Sequence, residues 1–510
     1  MALAVPPLNF TTLALAVVGY VVFRVLHQII HYRFFHPLAQ FPGPFWGSVT
    51  RIWIAYHDAR GAESEACDAQ FKKHGCSAIR VTPTMILVND ARKVPLLYHR
   101  FVDKSRHYIT GSAGPVESIF NMLDHHTHAQ HRKLAAPPYS FTNVKKMEPL
   151  IDMRVQYWLS RVDVLFASTK TPFDFSPWAT YMAYDVVSEV GFGECFGFVE
   201  QGRDVDGLIR GMHDGMLPFG LMARLHPLTT WLKSTWLKKY FVITPQHKGG
   251  FGNLLRVRDK LVARRLRDIE EGKKPRVDLL QTFIDARDDD GKPLDVEYIK
   301  AEIMLVLLAG ADTTGTTFQA LLQFVLSHPP AYQKLLAEID AAIEARKLSQ
   351  PVPQYEEVVE NCPYYIACIR ETLRLVPPTA CILPRLVSKG GIEIDGKYIP
   401  EGMEVAANPH LVHRDKSFYG EDAGEFRPER WLESEEQTRR YLKYSMTFGY
   451  GSRVCLGVHI AHMELYKAPL MFLRTFKVTP RDAEKPARYR VAGGLAFFEN
   501  FWLTLERRRD

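Results

Sequence analysis

Cys455 lies near the C-terminus in a glycine-bounded loop, FGYGSRVCLG, that ends at Gly457. An apolar run with helical spacing, 458–472, follows at once, so a thiolate here would lie at a helix N-terminus, near unpaired backbone N–H groups and the positive end of the helix dipole. Gly451 and Gly457 let the backbone approach a flat ligand closely, and Arg453 can pair with a carboxylate. These are the requirements of a thiolate that ligates heme iron.

The loop contains the pattern Phe-x-x-Gly-x-Arg-x-Cys-x-Gly, which resembles the heme-binding signature of the cytochrome P450 family. At ordinary residue frequencies, five fixed positions match by accident in about 10⁻⁷ of windows. An unpaired cysteine is more commonly a buried structural residue, but such a residue does not require this pattern. The resemblance implies that Cys455 is the axial ligand of heme b, with Phe448, Gly451 and Gly457 shaping the loop around it.

A second motif, AGADTT at 309–314, interrupts the long helical run 296–326. Gly, Asp and β-branched Thr are poor helix formers. Residues that disfavour the secondary structure in which they lie often mark a functional site. The small residues leave room for a ligand, a Thr hydroxyl bonded to a carbonyl can widen the helix, and an acid beside an alcohol can relay protons. The motif resembles the oxygen-activation sequence of the family, which implies that Asp312 is the acid and Thr313 the alcohol.

A histidine-rich segment, HHTHAQHRK, first raises the possibility of a zinc site. Its His128 and His131 offer only an i, i+3 pair, and no distant Cys or Asp pattern completes a tetrahedral set. The family has a Trp-x-x-x-Arg helix whose Trp and Arg hold a heme propionate, and this chain departs from it with His128 at the Trp position and Arg132 at the Arg position. Arg385 and Arg453 complete the implied basic cradle, because bidentate arginine suits carboxylates.

Glu371 and Arg374 lie three residues apart on one predicted helix face, which alone indicates only a surface ion pair. The downstream segment FRPERW, 426–431, resembles the family segment whose arginine joins that pair in a buried triad. The resemblance therefore implies that Glu371, Arg374 and Arg430 form a structural network behind the heme and take no part in catalysis.

The N-terminus predicts a membrane anchor. The first 23 residues carry no charge, and the apolar stretch 8–30 has about the length of ~20 residues that a membrane helix requires. It lacks the basic n-region and small-x-small site of a cleaved signal peptide. Basic residues follow it, so the positive-inside rule predicts a lumenal N-terminus and a cytosolic body. We expect a single-pass anchor in the endoplasmic reticulum membrane over 1–36, with the sequon at Asn9 too close to the bilayer to be used.

Residues 37–44 form a proline-rich hinge, since their prolines prevent helix continuation. Residues 45–505 contain no repeat and no low-complexity linker, so we predict one catalytic domain. Helical periodicity dominates it, and strands are predicted at 79–88 and 392–399. The predicted fold is mainly α with small β-sheets, and the order of the motifs implies the cytochrome P450 fold behind an N-terminal transmembrane helix. The longest predicted helices are 147–166, 251–269, 296–326 and 458–474.

Composition excludes several functional classes. A chain of 510 residues with 46% hydrophobic content can bury a large core. Its seven cysteines are odd in number and scattered, with no CxxC pair, which indicates a reducing compartment rather than a disulfide framework. The net charge of +7 is modest and is not gathered into one tract, so a nucleic-acid partner has little support.

The resemblance extends from the anchor to about residue 505, and it is nearest to filamentous-fungal microsomal members such as the pisatin demethylase group. It implies a heme-thiolate monooxygenase that uses O₂ and two electrons. Since the chain has no flavin or NADPH motif, the implied electron donor is a separate NADPH-cytochrome P450 reductase. Candidates for its docking face, which could also be ordinary solvated charges, are Lys133, Arg439, Arg440 and Lys443.

The residues expected to line the substrate pocket are small or apolar, which favours a lipophilic terpenoid, polyketide or aromatic metabolite. They are Ala309, Thr313, Val376, Thr379, Ala380, Ile382, Leu495 and Phe497. The Met- and Trp-rich segment 211–241 is either core or a channel roof that touches the membrane.

Two alternative functions remain open. The first is a heme-thiolate isomerase or dehydratase that does not use O₂, and such an enzyme is expected to have lost the acid–alcohol pair. The second is a heme-based sensor or ligand-binding protein, which would not need a proton relay, a membrane anchor and a reductase-binding face together.

Overall fold

One long central helix and several small β-sheets organise the chain. The computed structural model describes residues 10–111, 116–238, 244–247, 250–484 and 486–508. Within these residues helices dominate and the strands are short. The prediction of a mainly α fold with small β-sheets is confirmed.

Three of the four longest predicted helices match the structure to within one residue at each end, whereas the predicted run 147–166 is a helix that begins earlier, at Phe141, and continues as a π-helical turn after Val162. The predicted run 296–326 is the 32-residue helix Val296–Ser327, and its first turn is capped by Asp295, which accepts hydrogen bonds from two backbone N–H groups. In chain order the helices are α1 (Phe10–Ile30), α2 (Phe45–Val49), α3 (Ile52–Ala59), α4 (Glu63–His74), α5 (Val94–Leu97), α6 (His125–Ala135), α7 (Phe141–Val162), α8 (Phe175–Phe192), α9 (Phe198–Gln201), α10 (Leu208–Arg224), α11 (His226–Ser234), α12 (Phe251–Glu270), α13 (Leu279–Asp285), α14 (Val296–Ser327), α15 (Pro329–Glu344), α16 (Tyr355–Asn361), α17 (Pro363–Leu375), α18 (Pro409–Val412), α19 (Lys416–Tyr419), α20 (Glu435–Tyr444) and α21 (Val458–Thr475).

The strands form small separate sheets, with orders β1-β2-β7-β4, β10-β9, β3-β11-β8 and β5-β6. The predicted hairpin at 392–399 is β5-β6, and its turn residues Asp395 and Gly396 both have positive φ, as a type I′ turn requires. The strands are β1 (Ala78–Thr82), β2 (Met85–Val88), β3 (Phe173–Asp174), β4 (Arg385–Leu386), β5 (Ile392–Ile394), β6 (Lys397–Ile399), β7 (Glu404–Ala406), β8 (Phe476–Pro480), β9 (Arg488–Ala492), β10 (Leu495–Glu499) and β11 (Trp502–Arg507).

Aromatic side chains pack the central helix α14 against the core. Phe318 of this helix lies 5.1 Å from Phe175, 5.7 Å from Trp158 and 5.8 Å from Phe472, measured between ring centroids. These rings come from α8, α7 and α21, and all are fully buried. Edge-to-face pairs of this kind each contribute about 0.5–1.5 kcal/mol beyond burial. The helix that carries the second motif is therefore held on several sides.

The N-terminal helix stands apart from this core. No residue of α1 is buried, and the helical segment Phe10–Phe35 is long and apolar enough to cross a membrane. It continues past the predicted end at residue 30 through a π-helical turn, His31–Phe35. The predicted hinge begins with a 3₁₀ turn, Pro37–Gln40. Asn9 lies outside the described residues, so its expected lack of modification stays a prediction.

Candidate active site

The loop around Cys455 is held by its own backbone. The N–H of Cys455 donates to the carbonyl of Phe448 over 2.7 Å, and the 3₁₀ turn Gly451–Arg453 lies between them. Gly451 has a φ of 66°, and a Cβ at this position would lie 2.3 Å from the carbonyl oxygen of Tyr98. Glycine is therefore required here, because no larger residue fits without moving backbone. Helix α21 begins directly after the loop.

The thiol of Cys455 is accessible and yet deep inside the fold. Its side chain is exposed, but burial among protein atoms raises the pKa of the thiol. A residue that is accessible and yet has many protein atoms around its sulfur lies in a recess of the fold. The N–H of Gly457 and the charge of Arg132 act in the opposite direction and lower this pKa. Both groups thereby favour the thiolate, which is the form that binds metal.

A cluster of basic side chains lies near this thiol. It contains all the basic residues that were predicted to hold propionates, and it also contains Lys104, which the sequence did not indicate. Burial, followed by the charges of the other members, lowers the pKa of His128 to about 3, and burial and Arg385 lower that of Arg453 to about 10. The pKa of the Lys104 ammonium is held well below its usual value for the same reasons. The cluster consists of Lys104, His128, Arg132, Arg385 and Arg453. A bound anion would relieve this mutual repulsion.

The cations of this basic cluster donate to neutral acceptors. Arg453 donates to two backbone carbonyls before α6, each over 2.7 Å, and its Nε is buried with no partner among the described residues. Arg385 donates to the hydroxyl of Tyr108 over 2.9 Å, and Lys104 donates to a backbone carbonyl over 2.6 Å. None of the ion pairs found in the described parts of the chain joins a cluster cation to a carboxylate. An interior thiol beside unpaired cations fits heme, which supplies an iron and two propionates.

The second motif presents its acid and its alcohol on different faces of α14. Thr313 and Ala309 are accessible on a helix that is otherwise mostly buried, and the Thr313 hydroxyl donates to the carbonyl of Ala309 over 2.8 Å. Asp312 is buried. Gly310 does not leave room for a ligand as expected, because a Cβ there would lie 2.8 Å from the side chain of Val187. This glycine instead lets α8 approach α14.

Two side chains that sequence reasoning missed hold Asp312. Nε2 of His213 lies 3.0 Å from one carboxylate oxygen, and the hydroxyl of Tyr184 donates to the other over 3.1 Å. They come from α10 and α8, far from the motif in sequence. No local pattern in the chain marks either of them.

The predicted structural network is assembled around one carboxylate. Glu371 accepts two hydrogen bonds from Arg374, one from Arg430 and one from the indole of Trp431, each of 2.8–2.9 Å. The two arginines and the glutamate are fully buried. Such a charge pair is stable only when its remaining polar atoms are bonded, and here both guanidiniums also donate to backbone carbonyls.

A histidine links this network to the cysteine loop. Arg374 donates to the backbone carbonyl of His413, and Nε2 of His413 accepts the N–H of Met446 over 2.9 Å, two residues before the loop begins. Nδ1 of the same ring lies 3.1 Å from the carbonyl of Arg374. Burial and then the charge of Arg374 lower the pKa of His413 to about 3, so the ring is neutral. The network therefore positions the backbone that leads into the loop.

The residues expected to line a pocket divide into two groups. Accessible within the fold are Ala309, Thr313, Thr379 and Leu495. Buried are Val376, Ala380, Ile382 and Phe497. Ile382 packs with the hydrophobic residues of β1 and β2.

The predicted surface features lie on exposed elements. The candidate docking cations are all exposed, and Arg439 pairs with Glu435 of the same helix over 3.3 Å. The segment 211–241 forms part of α10 and all of α11, and its last residues, 239–241, lie outside the described chain. Its exposed apolar side chains are Leu217, Leu228, Trp231 and Trp236.

Comparison with known sequences gives consistent matches. The family model described as "Cytochrome P450" matches residues 24–496. Quiannulatic acid synthase of Emericella variicolor is 37% identical over 511 residues, which cover 98% of this chain and 96% of that protein. The cytochrome P450 monooxygenase gsfF of Penicillium aethiopicum is 32% identical and covers 92% and 93%, and pkfB of Emericella nidulans is 30% identical and covers 96% and 93%.

A solved structure has the same architecture. The crystal structure of a cytochrome P450, CYP102L1, aligns with a TM-score of 0.70 over 88% of this chain and 94% of that one, at 20% sequence identity. At this identity the likeness concerns the fold alone.

Proposed function

The chain belongs to the cytochrome P450 family of monooxygenases, and we propose that it oxidises a lipophilic secondary metabolite with O₂. The proposed cofactor is heme b, and the proposed electron donor is NADPH-cytochrome P450 reductase. The observation that carries this proposal is the interior-facing thiol of Cys455 beside a cluster of cations that lack carboxylate partners. Its sequence relatives are fungal P450 monooxygenases, which supports a role in secondary metabolism.

The basic cluster and the cysteine loop would hold the cofactor. Cys455 supplies the thiolate ligand, and the N–H of Gly457 stabilises its charge. Arg132, Arg385 and Arg453 would pair with the propionates, with the neutral ring of His128 and with Lys104 as further donors. Heme bound in this way supplies the iron that activates O₂.

The α14 motif would move protons to the reacting oxygen. The hydroxyl of Thr313 faces the accessible side of the helix, and while it donates to the carbonyl of Ala309 its own oxygen can still accept a hydrogen bond. Asp312 lies next to it in sequence and has its carboxylate fixed by two neighbours. We assign Asp312 as the acid that supplies protons and Thr313 as the alcohol that passes them on.

The substrate is proposed to be a terpenoid, polyketide or aromatic metabolite. The accessible residues that support this class are Ala309, Thr313, Thr379 and Leu495, none of which carries a charge. One relative is named for the synthesis of an acid, quiannulatic acid. Carboxylic acid products should therefore be sought beside simple alcohols.

The proposed location is the endoplasmic reticulum membrane, with the catalytic domain in the cytosol. The support is the exposed apolar helix at the N-terminus and the basic residues that follow it. Exposed side chains of α11 and its neighbourhood, including Trp231 and Trp236, would rest on the same membrane. The reductase would bind the exposed cations of α6 and α20.

The test of this proposal is the spectrum of the reduced protein with CO. Membranes carrying the wild type should give the red-shifted Soret band of a thiolate-ligated ferrous heme, and Cys455→Ala or Cys455→His should abolish it. The matched control Cys76→Ala changes a half-buried cysteine elsewhere and should keep the band. Retention of the band in either Cys455 variant would refute the ligand assignment. Incorporation of isotopically labelled O₂ into product separates a monooxygenase from an isomerase or dehydratase.

A further inference from the structure

The carboxylate of Asp312 is bonded on both oxygens to helices that pack against α14. His213 of α10 holds Oδ1 through its Nε2 at 3.0 Å, and Tyr184 of α8 donates to Oδ2 over 3.1 Å. The side chain of Asp312 is only 4% exposed. An acid that gives up protons repeatedly must regain them from water, and this acid does not face water itself.

The two partners differ in their access to water. Tyr184 is fully buried, and burial followed by the charge of Asp312 raises the pKa of its hydroxyl well above the usual value. It can therefore donate a hydrogen bond but does not supply protons. The side chain of His213, by contrast, is 26% exposed. Of the groups bonded to Asp312 in the described chain, His213 is the one whose side chain has accessible surface.

The chemistry of histidine matches this position. An imidazole has two nitrogens, so one can bond the carboxylate while the other exchanges protons with water, and it changes charge near neutral pH. The ring of His213 is also fixed in place, since its centroid lies 4.6 Å from that of Phe497 on β10 at an interplanar angle of 65°. An arginine at this position could form the ion pair but could not release a proton.

Several other charged groups lie near His213 and Asp312, but within the described chain they do not bond to the Asp312 carboxylate. On α10 itself, Arg210 and Asp214 flank His213 and face each other over 3.6 Å at the surface. Arg490 of β9 lies over the ring of Phe497, and the charge of Asp204 acts on Tyr184. None of these groups is bonded to Asp312 in the part of the chain that the structure describes.

We propose that His213 is a positioning residue that fixes Asp312 and returns protons to it from water. This inference rests on the proposed monooxygenase function. In the step, Nδ1 of the neutral ring, which carries its proton on Nε2, takes one proton from a hydronium ion in the solvent and leaves water. The imidazolium then gives its Nε2 proton to Oδ1 of the carboxylate. The ring is now neutral with its proton on Nδ1, and exchange of that proton through water restores the starting tautomer. One proton enters for each proton that Asp312 passes on, and no electron is transferred.

The first test uses the full-length heme-loaded protein with CO as the probe. The C–O stretching frequency of the reduced CO complex responds to charge in the surrounding pocket. We expect this frequency to depend on pH in the wild type and to lose that dependence in His213→Gln, because the variant has no imidazole beside Asp312. Glutamine keeps a hydrogen-bond donor but does not titrate. The same pH dependence in both proteins would overturn the proposal.

The second test measures NADPH consumption with the reductase and no added substrate, in H₂O and D₂O. We expect His213→Gln to slow consumption about ten-fold and to increase the solvent isotope effect, because water then has to supply protons directly. Asp214→Asn, next to it on the exposed face of α10, should leave both values unchanged. Loss of thermal stability with an unchanged isotope effect would mean a structural ion pair and would overturn the proposal.

Two further measurements keep these outcomes interpretable. If His213→Gln does not retain heme, His213→Asn replaces it, since the shorter amide also cannot titrate. Tyr184→Phe should preserve the pH dependence of the C–O frequency, because the histidine remains. A wild type without the thiolate-type CO band would refute the proposed function. A normal band with an unaltered pH profile in the His213 variants would refute only this inference.

Discussion

Arg80, on β1, donates a hydrogen bond of 2.6 Å from its guanidinium to the backbone carbonyl of Tyr32, in the π-helical turn that ends the N-terminal helical segment. A second bond of 2.6 Å goes to the carbonyl of Pro83. The guanidinium is almost completely buried, and burial lowers its pKa to about 10. A carbonyl that the helix end leaves unpaired thus receives a donor from the catalytic domain. The end of the N-terminal helical segment is therefore hydrogen-bonded to the sheet that contains β1.

This contact predicts that the position of an N-terminal truncation matters. Deleting residues 1–27 or 1–36 should release much of the protein from membranes, and both proteins should still bind heme. The longer deletion removes the acceptor of Arg80, and an unpaired buried donor costs about 1–3 kcal/mol. We therefore expect a lower thermal midpoint for the 1–36 deletion than for the 1–27 deletion. Equal midpoints would show that the contact does not stabilise the domain.

Lys104→Met should separate the stability of the apoprotein from its affinity for heme. The folded-state pKa of Lys104 is depressed, so the unfolded chain holds this proton more tightly and the lysine destabilises the apoprotein at pH 7. Its removal should raise the apoprotein's thermal midpoint. Heme dissociation should become about ten-fold faster, since one bond to a charged group is lost. The measurement is transfer of heme to a scavenger, with the exposed Lys133→Met as the matched control. Slower dissociation would exclude Lys104 from the cradle.

The sequence predicted the family, the mainly α fold and the exposed apolar helix, and these predictions are confirmed. Each rests on local information. The spacing within the loop of Cys455 and the period of the run 296–326 can be read from adjacent residues.

The sequence did not predict the contacts made between distant segments. Lys104, His213 and His413 belong to no motif, and each acquires its role only when a strand or helix from elsewhere packs against it. Gly310 was misread for the same reason, because whether a glycine faces a ligand or a neighbouring helix depends on tertiary packing.

Acid should destabilise the protein through buried neutral histidines. His413 has a pKa of about 3 in the fold because of burial and Arg374, against an ordinary value of 6.5. Below about pH 6.5 the unfolded chain takes up a proton that the folded chain refuses, so stability falls as pH falls, by about 1.4 kcal/mol per pH unit for each such group. Above pH 6.5 both states are neutral and this dependence ends. Urea unfolding of the 1–27 deletion from pH 7.5 to 5 measures the slope.

His413→Gln is the matching variant for this acid effect. Glutamine can accept the N–H of Met446 but does not titrate, so the slope below pH 6.5 should become shallower. His128, whose pKa is also lowered to about 3, would account for part of the slope that remains. An unchanged slope in His413→Gln would assign the acid sensitivity to other groups.

Thr313→Ala should uncouple the reaction without unfolding the protein. The hydroxyl donates to a carbonyl of its own helix, and alanine has a better helix propensity, so stability should change little. The CO spectrum and substrate binding should remain normal. Proton transfer would lose its alcohol while electrons still arrive, so NADPH consumption should continue with more peroxide and less product per NADPH. Asp312→Asn should instead slow turnover, because it removes the acid that feeds the alcohol.

The decisive quantity in the Thr313→Ala experiment is the ratio of product to NADPH, with peroxide counted alongside. Thr314→Ala is the matched control, since its hydroxyl also donates to the helix backbone, over 3.2 Å, but its side chain is buried away from the accessible face. We expect the control to keep the wild-type ratio within about two-fold, whereas Thr313→Ala should lower it about ten-fold or more. An unchanged ratio in Thr313→Ala would move the relay to Thr314 or to water alone, and would reopen the alternatives that do not use O₂.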